Sequence, residues 1–557
     1  MAFSHALEKY VGFGLFNKTL LVAIIIIETW HESWSFFGHL FVLLTPDNQW
    51  CINNQSEWKT FNKSTMTPGG CQFLEQSNNS GNVTFIVDKE STCDSGWIYD
   101  ASIFLTATME KGWLCGESTQ LYIIHTCHWV GSTVGFLISG FLADRFGRKK
   151  TVCGLLVMTI LSNLGSVLFT DHTTFSIFRF FSGAGTYTAS ASCFILVMEY
   201  TIASKRTLVA FIWGLNWTLA STTFPWYASY ISSWRGLFIT VAAVEAVLLF
   251  VFWWAPESSS WLLSVGNKKE ATTILLSIAK INGNVVTEDQ MESSLCQKGE
   301  DDLEISCAGD TKSFWRTTFA LVETPRIRRS TLLILPILCM ITMCYYVGSM
   351  QLGRLGLDVY ATYSVSSAFE LPMNIICILV LDRLGRRWPN FTFMLIGGVV
   401  SIIMVIVKTD SHAWTLAMAV TFMTCFSGGF NITCQTGAEI FPTVIRARAF
   451  LLQHVMAVIG NVLGTPVAAT IEWNQYFPVL VCGITALIAA IMILFLPESV
   501  GLPLPQTISD GENLGKDRGF CFCPCIATQW TREEIDKEEH ITSIYTGHHD
   551  PIVQRRV

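Results

Sequence analysis

The stretch LADRFGRKK (Leu142–Lys150) recurs in the second half of the chain as LDRLGRRW (Leu381–Trp388), and the aspartates of the two copies are 238 residues apart. EYTIASKR, which starts at Glu199, recurs 240 residues later as EIFPTVIR, which starts at Glu439. APES recurs as LPES at an offset of 241 residues. Three matches in the same order at nearly one offset indicate that the chain consists of two homologous halves.

The composition is that of a polytopic membrane protein. Hydrophobic residues make up 51% of the 557 residues and charged residues only 14%, and the mean hydropathy is +0.42. A soluble domain usually has about 25% charged residues. The net charge is −7 and there is no basic stripe, which argues against nucleic-acid binding. A P-loop, a catalytic triad and metal-ligand spacing are all lacking, so we expect no enzyme, no cofactor and no metal.

Twelve apolar segments of about 20 residues predict an all-α protein with twelve transmembrane helices in two pseudo-symmetric six-helix bundles. The segments lie near 15–44, 119–142, 151–170, 174–198, 206–230, 235–255, 330–350, 361–381, 390–408, 413–436, 447–471 and 476–496. The predicted division of the chain is an N-terminus and span 1 (1–44), an extracellular loop (45–118), spans 2–6 (119–255), a cytoplasmic loop (256–329), spans 7–12 (330–497) and a cytoplasmic tail (498–557).

The short loops set the predicted orientation, because cytoplasmic loops of membrane proteins are enriched in Lys and Arg. Basic residues cluster in loops 2–3, 4–5, 8–9 and 10–11 and are scarce in the alternate loops. Both termini are therefore predicted to be cytoplasmic, and the protein is expected in the plasma membrane with its 45–118 loop outside.

The 45–118 loop has the signs of an extracellular segment. It contains four glycosylation sequons and four cysteines, and four cysteines outside the cell suggest two disulfides with three possible connectivities. The sequons are at Asn54, Asn62, Asn78 and Asn82, and the cysteines are Cys51, Cys71, Cys93 and Cys115.

GFLADRFGRKKT, from Gly140 to Thr151, resembles the loop 2–3 signature of the major facilitator superfamily, and DRLGRR resembles its second copy. A narrower resemblance, over residues 10–507, is to the organic cation, anion and carnitine transporter family of solute carriers. Sugar porters are a weaker match, because their first loop is short. The motifs that carry the narrower resemblance are TPDNQWC (45–51), CDSGWIYD (93–100), EKGWLC (110–115), PESSSWL (256–262), GAEIFPTVIR (437–446) and PESVGLPLPQT (497–507).

The chain departs from this family at three places. Ser260 stands where an Arg commonly follows PESP, and the outer loop has four cysteines where many members have six. In span 11 the family often carries Asp in cation carriers or Arg in anion and carnitine carriers. Val458 or Ile459 occupies that position here, so the usual charge that distinguishes substrates is missing.

Charged residues at the predicted cytoplasmic ends of the spans are expected to form a gate. Ion pairs between the halves would form when the central cavity opens outward and separate when it opens inward. Plain positive-inside topology is the alternative explanation. The predicted gate residues are Asp144, Arg145, Arg148, Glu199, Arg206, Glu257, Asp382, Arg383, Arg386, Glu439, Arg446 and Glu498.

Span 1 contains Glu28, His31 and Glu32 in the stretch ETWHESW. Glu28 lies ten residues beyond Lys18, which is about 15 Å along a helix and about half the hydrocarbon thickness. The i, i+3, i+4 spacing places the three side chains on one face. They could form a cation or proton site, since carboxylates attract cations and imidazole exchanges protons near neutral pH. Alternatively, His31 only pairs with a glutamate.

Further polar and aromatic side chains in the spans are candidate substrate contacts. Aromatic rings that face a cavity can surround an ammonium group, whereas rings that face lipid or the core only pack. For Glu370 a structural pairing is an equal alternative. The candidates are Trp213, Asn216, Trp217, Tyr345, Tyr346, Glu370, Gln435, Gln453 and His454.

The predicted function is transport of organic cations or carnitine-like zwitterions by alternating access, as a uniporter or coupled to Na⁺ or H⁺. An organic anion carrier is one alternative, which the missing span 11 Arg and the Glu28/Glu32 pair argue against. A receptor or sensor that has lost transport is another, although a receptor needs no gate. The predicted partners are a small organic cation or zwitterion, the lipid bilayer and a weak PDZ-type partner at the C-terminal QRRV.

Overall fold

The computed structural model describes residues 6–46, 48–52, 70–76, 83–86, 97–99, 103–114, 117–169, 171–202, 205–296, 318–355, 357–407, 411–502, 504–516 and 518. The asparagines of the four sequons, Cys93, Cys115 and the QRRV terminus lie outside these residues. The side chains of Cys51, Cys71 and Asp382 lie outside them as well, so the predicted disulfides and glycosylation stay predictions.

The helices form two six-membered bundles, as the sequence repeat predicts. Spans 1–6 are Leu15–Val42, Ser118–Phe146, Arg148–Leu168, His172–Glu199, Arg206–Ile231 and Trp234–Trp254. Spans 7–12 are Pro325–Leu352, Val359–Ala368 continued by Glu370–Leu384, Arg387–Ile406, His412–Ile440, Thr443–Ala469 with a 3₁₀ turn at Thr470–Glu472, and Phe477–Leu494.

Eleven of these helices, within the described residues, are long and apolar enough to cross a membrane. The exception is span 5, Arg206–Ile231, which has 26 residues but is rich in Trp, Tyr, Ser and Thr. Span 5 packs against span 1 in its own half and against span 8 in the other half. Span 5 is therefore stabilised by its contacts with other helices and does not depend on a uniformly apolar surface.

A small sheet lies in the 45–118 loop and was not predicted from the sequence. Its strands are β1 (Asn48–Ile52), β2 (Gly70–Gln76), β3 (Val83–Ile86) and β4 (Trp97–Tyr99), in the order β3-β2-β1-β4. β1 and β2 are parallel, and the other two pairs are antiparallel. We call the membrane side that carries this sheet the loop face, and the side that carries the basic loops the basic face.

Glycines hold spans 2 and 4 close together. A Cβ at Gly131 would lie 2.0 Å from the carbonyl oxygen of Phe180, and one at Gly183 would lie 1.9 Å from that of His128. Only glycine permits this backbone approach, as is usual where transmembrane helices pack tightly. The contact fixes span 2, with its histidines, against the span that carries Arg179.

Segments outside the bundles complete the helix starts at the basic face. Asn282, after the loop helix Lys268–Ile281, accepts a hydrogen bond from the Phe16 N–H at 2.9 Å. Glu512, in the helix Ile508–Asn513, accepts from the Arg326 N–H at 3.0 Å. Since the first N–H groups of a helix lack partners within it, these two side chains stabilise the starts of spans 1 and 7.

The two halves meet along two pairs of helices, span 2 with span 11 and span 5 with span 8. One continuous apolar core contains residues of both halves, and a second core lies within the N-terminal half near the basic face. The predicted site residues of spans 1, 5 and 7 lie at or beside these contacts between the halves.

Candidate transport site and gates

Span 1 presents Glu28 and Glu32 on the same side, just after a π-helical turn at Leu21–Ile26. Such turns widen a helix and are frequent at functional sites. Glu28 is 0% exposed, and within the described part of the chain neither of its carboxylate oxygens has a hydrogen-bond partner. Glu32 is half-buried. The Ser190 hydroxyl of span 4 faces both carboxylates, and Tyr187, one turn away, lies close enough to Glu32 for their charges to interact.

His31 does not lie between the two carboxylates. Its Nε2 is 3.0 Å from Oε1 of Glu245 in span 6, and both side chains are fully buried. Asn163 of span 3 donates to both oxygens of Glu245 at 2.9 and 3.1 Å. Arg179 of span 4 donates to Asn163 Oδ1 at 2.8 Å. The result is a buried network in which one carboxylate and one guanidinium offset each other and connect four spans.

Aromatic rings fill the centre between the halves. Trp129 of span 2 stacks on Tyr187 with ring centroids 5.1 Å apart, and it meets Tyr346 of span 7 edge-on at 5.2 Å. Phe36 lies 5.9 Å from Trp129 and 6.1 Å from Trp217. The predicted candidates Trp217 and Tyr346 thus belong to one cluster with residues that the sequence analysis did not select. A Trp or Phe in an apolar segment carries no signal that it faces a neighbouring half.

The C-terminal half has a carboxylate of its own. Glu370 of span 8 accepts hydrogen bonds from the Tyr345 hydroxyl and the Ser427 hydroxyl, each at 3.0 Å. Tyr345 also reaches toward span 1, with its ring 6.3 Å from that of Phe36. Glu370 is therefore buried with two donors, unlike Glu28.

The remaining predicted candidates are spread over spans 5, 10 and 11. Trp213 packs edge-on against Phe194 at 4.9 Å, and Asn216 is buried one turn further along. Gln435 is exposed and donates to Glu439 at 3.1 Å, which places it toward the basic face. Gln453 and His454 are neighbours on span 11: Gln453 is buried, and the His454 ring lies 4.1 Å from that of Phe450. These five residues do not form one site with Glu28.

Three buried histidines lie together near the loop face. The His39 ring is stacked on that of His128 at 4.1 Å and meets that of His125 edge-on at 4.7 Å. His125 Nδ1 is 2.9 Å from the Tyr346 hydroxyl in the other half. The sequence shows each histidine as a single polar residue in an apolar helix, and only the packing of spans 1 and 2 brings them together.

A tyrosine of one half meets an ion pair of the other half at the loop face. Arg354, which follows span 7, lies 3.7 Å from Glu472 at the end of span 11, within the same half. Tyr122 of span 2 approaches both, donating to Glu472 at 3.4 Å and accepting from Arg354 at 3.4 Å. The contact between the halves at this face therefore runs through Tyr122.

At the basic face the N-terminal half has a compact cluster. Gly147, with φ +103°, ends span 2, and a Cβ there would lie 2.5 Å from the Glu257 carboxylate. Glu257 accepts from the Lys149 N–H at 2.9 Å, at the start of span 3. Arg148 donates to Asp144 at 2.8 Å and approaches Glu199 at 3.8 Å. A carboxylate at a helix N-terminus is stabilised by the free N–H groups and the helix dipole.

The C-terminal half repeats this cluster. Gly385 has φ +84°, and a Cβ there would lie 2.5 Å from the Glu498 carboxylate. Glu498 accepts from the N–H groups of Arg386 and Arg387 at 3.0 Å. Arg386 donates to Glu439 at 3.0 Å, and a cavity of about 260 Å³ lies beside these two side chains.

The pairing in these clusters differs from the predicted gate, in which the acidic and basic residues would pair between the halves. Arg148 pairs with Asp144 and Glu199, and Arg386 pairs with Glu439, in each case inside its own half. The bridge between the halves is Arg448 of span 11 to Asp144 at 3.2 Å, and Arg448 was not among the predicted gate residues. Repeat symmetry alone cannot distinguish a partner in the same half from one in the other half.

Arg206, Arg446 and Arg145 make their described contacts inside their own halves. Arg206 and Arg446, at equivalent places, each donate to a carbonyl five residues earlier in their own chain segment, Thr201 and Phe441. The Arg145 guanidinium lies over the rings of Phe141 and Phe146. Arg383 is exposed in the last turn of span 8.

Solved structures with the same architecture are sugar carriers. The chain resembles the major facilitator superfamily proton:xylose symporter XylE bound to 6-bromo-6-deoxy-D-glucose, with a TM-score of 0.56 and 16% identity over 88% of this chain and 98% of that one. The partially occluded inward-open form of XylE from E. coli matches with a TM-score of 0.56 and 15% identity, over 87% and 100% of the two chains. At this level of identity the similarity shows the major facilitator fold alone.

Sequence relatives narrow the assignment. Organic cation transporter 1 of Caenorhabditis elegans is 28% identical over 92% of this chain and 89% of its own length. Solute carrier family 22 member 1 of Bos taurus is 30% identical over 84% and 80%, and member 13 of Homo sapiens is 26% identical over 92% and 93%. Residues 72–508 match the family described as sugar (and other) transporter. The chain is a multi-pass membrane transporter of the major facilitator superfamily and belongs to its sugar (and other) transporter family, within the solute carrier family 22 group of organic cation and anion carriers.

Proposed function

We propose that this transporter carries organic cations or zwitterions with an ammonium group across the plasma membrane by alternating access. The observation that carries the proposal is the acidic pair Glu28 and Glu32 in the middle of span 1, facing Ser190. An ionised side chain in the bilayer interior is costly, by about 2.5–3.5 kcal/mol on the insertion scale, so such residues usually serve a pathway or a partner. A cationic substrate would supply the partner.

The surroundings of Glu32 suit an ammonium group. Tyr187 of span 4 is within electrostatic range of Glu32, and Trp129 stacks on Tyr187. On the same helix as Glu32, the rings of Trp30 and Trp34 are 5.5 Å apart, and Trp34 stacks on Tyr227 at 4.5 Å. Aromatic faces attract cations by roughly 0.5–2 kcal/mol each, more when the cation is desolvated. A substrate held by one carboxylate and several rings needs no charge on span 11.

A second carboxylate in the other half gives the site two sides. Tyr345 of span 7 faces Phe36 of span 1, and its hydroxyl group donates to Glu370 of span 8. A substrate bound between Glu32 and Tyr345 would contact both bundles, so its binding energy would depend on how the bundles are placed. This dependence is what couples a substrate to a rocking motion.

The contacts between the halves at the two faces of the membrane determine to which side the protein can open. Asp144 with Arg448 holds the halves together at the basic face, and Tyr122 with Arg354 and Glu472 does so at the loop face. We infer that the protein opens to one side by separating one of these contacts while the other persists. Intact contacts at both faces support a carrier rather than a receptor.

An organic anion carrier is the second candidate, because organic anion transporter 3 of Oryctolagus cuniculus is 28% identical over 76% of this chain. Among the described residues of the N-terminal half, the buried guanidinium is that of Arg179, which is bonded to Asn163 and Ser166 and offset by Glu245. An anion at the centre would therefore face Glu28 and Glu32 without a basic partner. This argues for cations.

The test is uptake by cells that express the full chain at the surface. Radiolabelled tetraethylammonium, carnitine and p-aminohippurate represent a cation, a zwitterion and an anion. We expect the first or second to accumulate and Glu32→Gln to abolish most of that uptake at unchanged surface expression. Uptake of p-aminohippurate alone would favour the anion carrier. No uptake of any probe by well-expressed protein would favour the receptor.

A further inference from the structure

Glu28 and Glu32 share one face of span 1 but have different surroundings. Glu28 is fully buried with neither oxygen hydrogen-bonded within the described part of the chain, whereas Glu32 is half-buried beside Tyr187. We propose that Glu28 is a proton-binding site and that the protein exchanges one proton for each organic cation bound at Glu32. This inference rests on the proposed function and adds the coupling ion and its site.

The first step concerns the charge on Glu28. An isolated carboxylate in an apolar interior loses its hydration, which costs far more than the neutral acid does, so a group without donors or a cation takes up a proton instead. Glu370 is equally buried, but it has hydroxyl donors from Tyr345 and Ser427. Glu28 has only the Ser190 hydroxyl near it, and that hydroxyl also faces Glu32.

The second step is that, among the residues described here, the groups facing Glu28 from spans 4 and 6 supply no compensating cation. From span 4 the polar groups are Ser190 and the Cys193 thiol, and Cys193 is itself buried. From span 6, Glu245 is bonded to His31 and offset by Arg179, so this network is already balanced. The part of span 5 from Phe211 to Thr223 contains no ionisable residue. On span 1 itself the neighbour is the like-charged Glu32, whose field raises the cost of a second negative charge.

The third step is the linkage between proton and substrate. Glu28 and Glu32 are one helical turn apart, about 5–6 Å between Cβ atoms. When an ammonium group arrives at Glu32, its positive charge favours the ionised form of Glu28, and the proton leaves the Glu28 carboxyl for water. When the substrate leaves, the carboxylate takes a proton again. Linkage is reciprocal, so protonation of Glu28 weakens cation binding by the same factor.

The charge balance predicts the driving force. One positive charge enters the site for each proton that leaves, so the exchange is electroneutral. A pH difference of about one unit, acid inside, can then support about tenfold accumulation of a monovalent cation inside vesicles. A uniporter would respond to the membrane potential instead and would ignore the pH difference.

The test uses the purified full-length protein in liposomes with radiolabelled tetraethylammonium as the probe. Potassium and valinomycin hold the potential at zero while the lumen is about one pH unit more acidic than the bath. We expect wild type to accumulate the probe several-fold above the level at equal pH, and Glu28→Gln to equilibrate the probe without accumulation. Glu110→Gln is the control, because it removes a carboxylate that is bonded to Arg235 outside the central site, and it should keep the response to pH.

Each other outcome has a defined meaning. If wild type takes up no cation at all, the proposed function fails and the exchange fails with it. If wild type equilibrates the probe but ignores the pH difference, the function stands and the proton exchange is wrong. If Glu28→Gln keeps the accumulation, or His31→Gln removes it while Glu28→Gln does not, Glu28 is not the site. Elution of each variant as a single detergent-solubilised species excludes misfolding, and Glu28→Asp should restore the response.

Discussion

At the basic face, Glu257 accepts hydrogen bonds at the start of span 3, and Glu498 does the same at the start of span 9. In the middle of the membrane the halves differ: Glu28 has no bonded donor within the described residues, while Glu370 has two. The duplicated clusters maintain the shape of each bundle, which both halves need. The central residues differ because a substrate site has no reason to keep the repeat symmetry. The following experiments probe this contrast, beginning with the largest expected effect.

Removing the carboxylate from either basic cluster should destabilise the protein, and more so in the C-terminal half. Glu498 accepts from three backbone N–H groups, those of Arg386, Arg387 and Val500, whereas Glu257 accepts from two, those of Lys149 and Ser258. Hydrogen bonds to charged groups contribute about 1.5–3 kcal/mol each. We expect Glu498→Ala to lower the thermal unfolding midpoint in detergent more than Glu257→Ala. Equal midpoints would show that the clusters are energetically equivalent.

The glycines beneath these carboxylates allow a more sensitive comparison. Gly147→Ala and Gly385→Ala each place a Cβ at positive φ, which costs about 1–2 kcal/mol, and against a carboxylate. Both variants should lower the midpoint by similar amounts, because both Cβ atoms would lie 2.5 Å from a glutamate oxygen. Gly154→Ala is the control, since a Cβ there would meet no atom within 4 Å. A much smaller decrease of the midpoint in one variant would show that the loop at that glycine shifts to accommodate the added Cβ.

The contacts that join the halves should affect populations rather than stability. Asp144 and Arg448 are partly exposed, so water screens their ion pair to about 1 kcal/mol or less, which corresponds to a shift of up to about fivefold in the conformational equilibrium. Asp144→Asn should open the basic face, and Tyr122→Phe should open the loop face. The measurement is labelling of a single cysteine, placed beside Glu32 between the halves, by impermeant reagents from each side. Shifts in the same direction would contradict the assignment of the two contacts to opposite faces.

The smallest effect concerns the ion pair between Glu110 and Arg235. Glu110 lies in the short helix Ala107–Lys111 before span 2, and Arg235 lies at the start of span 6. Hydrogen bonds from Arg235 at 2.5 and 2.6 Å lower the pKa of Glu110 from 4.5 to about 2. Because the folded value is the lower one, this contact contributes stability above pH 4.5 and loses it as the pH falls toward 2. The midpoint difference between wild type and Glu110→Gln should therefore shrink over that range. A difference that does not change with pH would assign the stability to packing instead.

Patterns within single segments predicted much of the molecule. The sequence predicted the twelve helices and the two halves from twelve apolar runs, the offset of LADRFGRKK and the spacing of the basic loops. The structural and sequence relatives confirm the fold and the family. The i, i+4 spacing also placed Glu28 and Glu32 on one side. The strands β1–β4 were not predicted, because they are short segments in a polar loop without strong alternation.

The sequence by itself determined the features that depend on the residues of a single segment. These are which segments enter the membrane, which helix ends are charged, and that the second half repeats the first. Only the tertiary structure decided the partners, because a partner comes from another helix. It paired His31 with Glu245 and joined Asp144 across the halves to Arg448, which was not a predicted gate residue. It also left Glu28 buried without a bonded donor within the described residues, while it gave Glu370 two donors. The physical reason is that burial and electrostatic balance depend on neighbours in space, which are 25 to 304 residues away along the chain in these pairs.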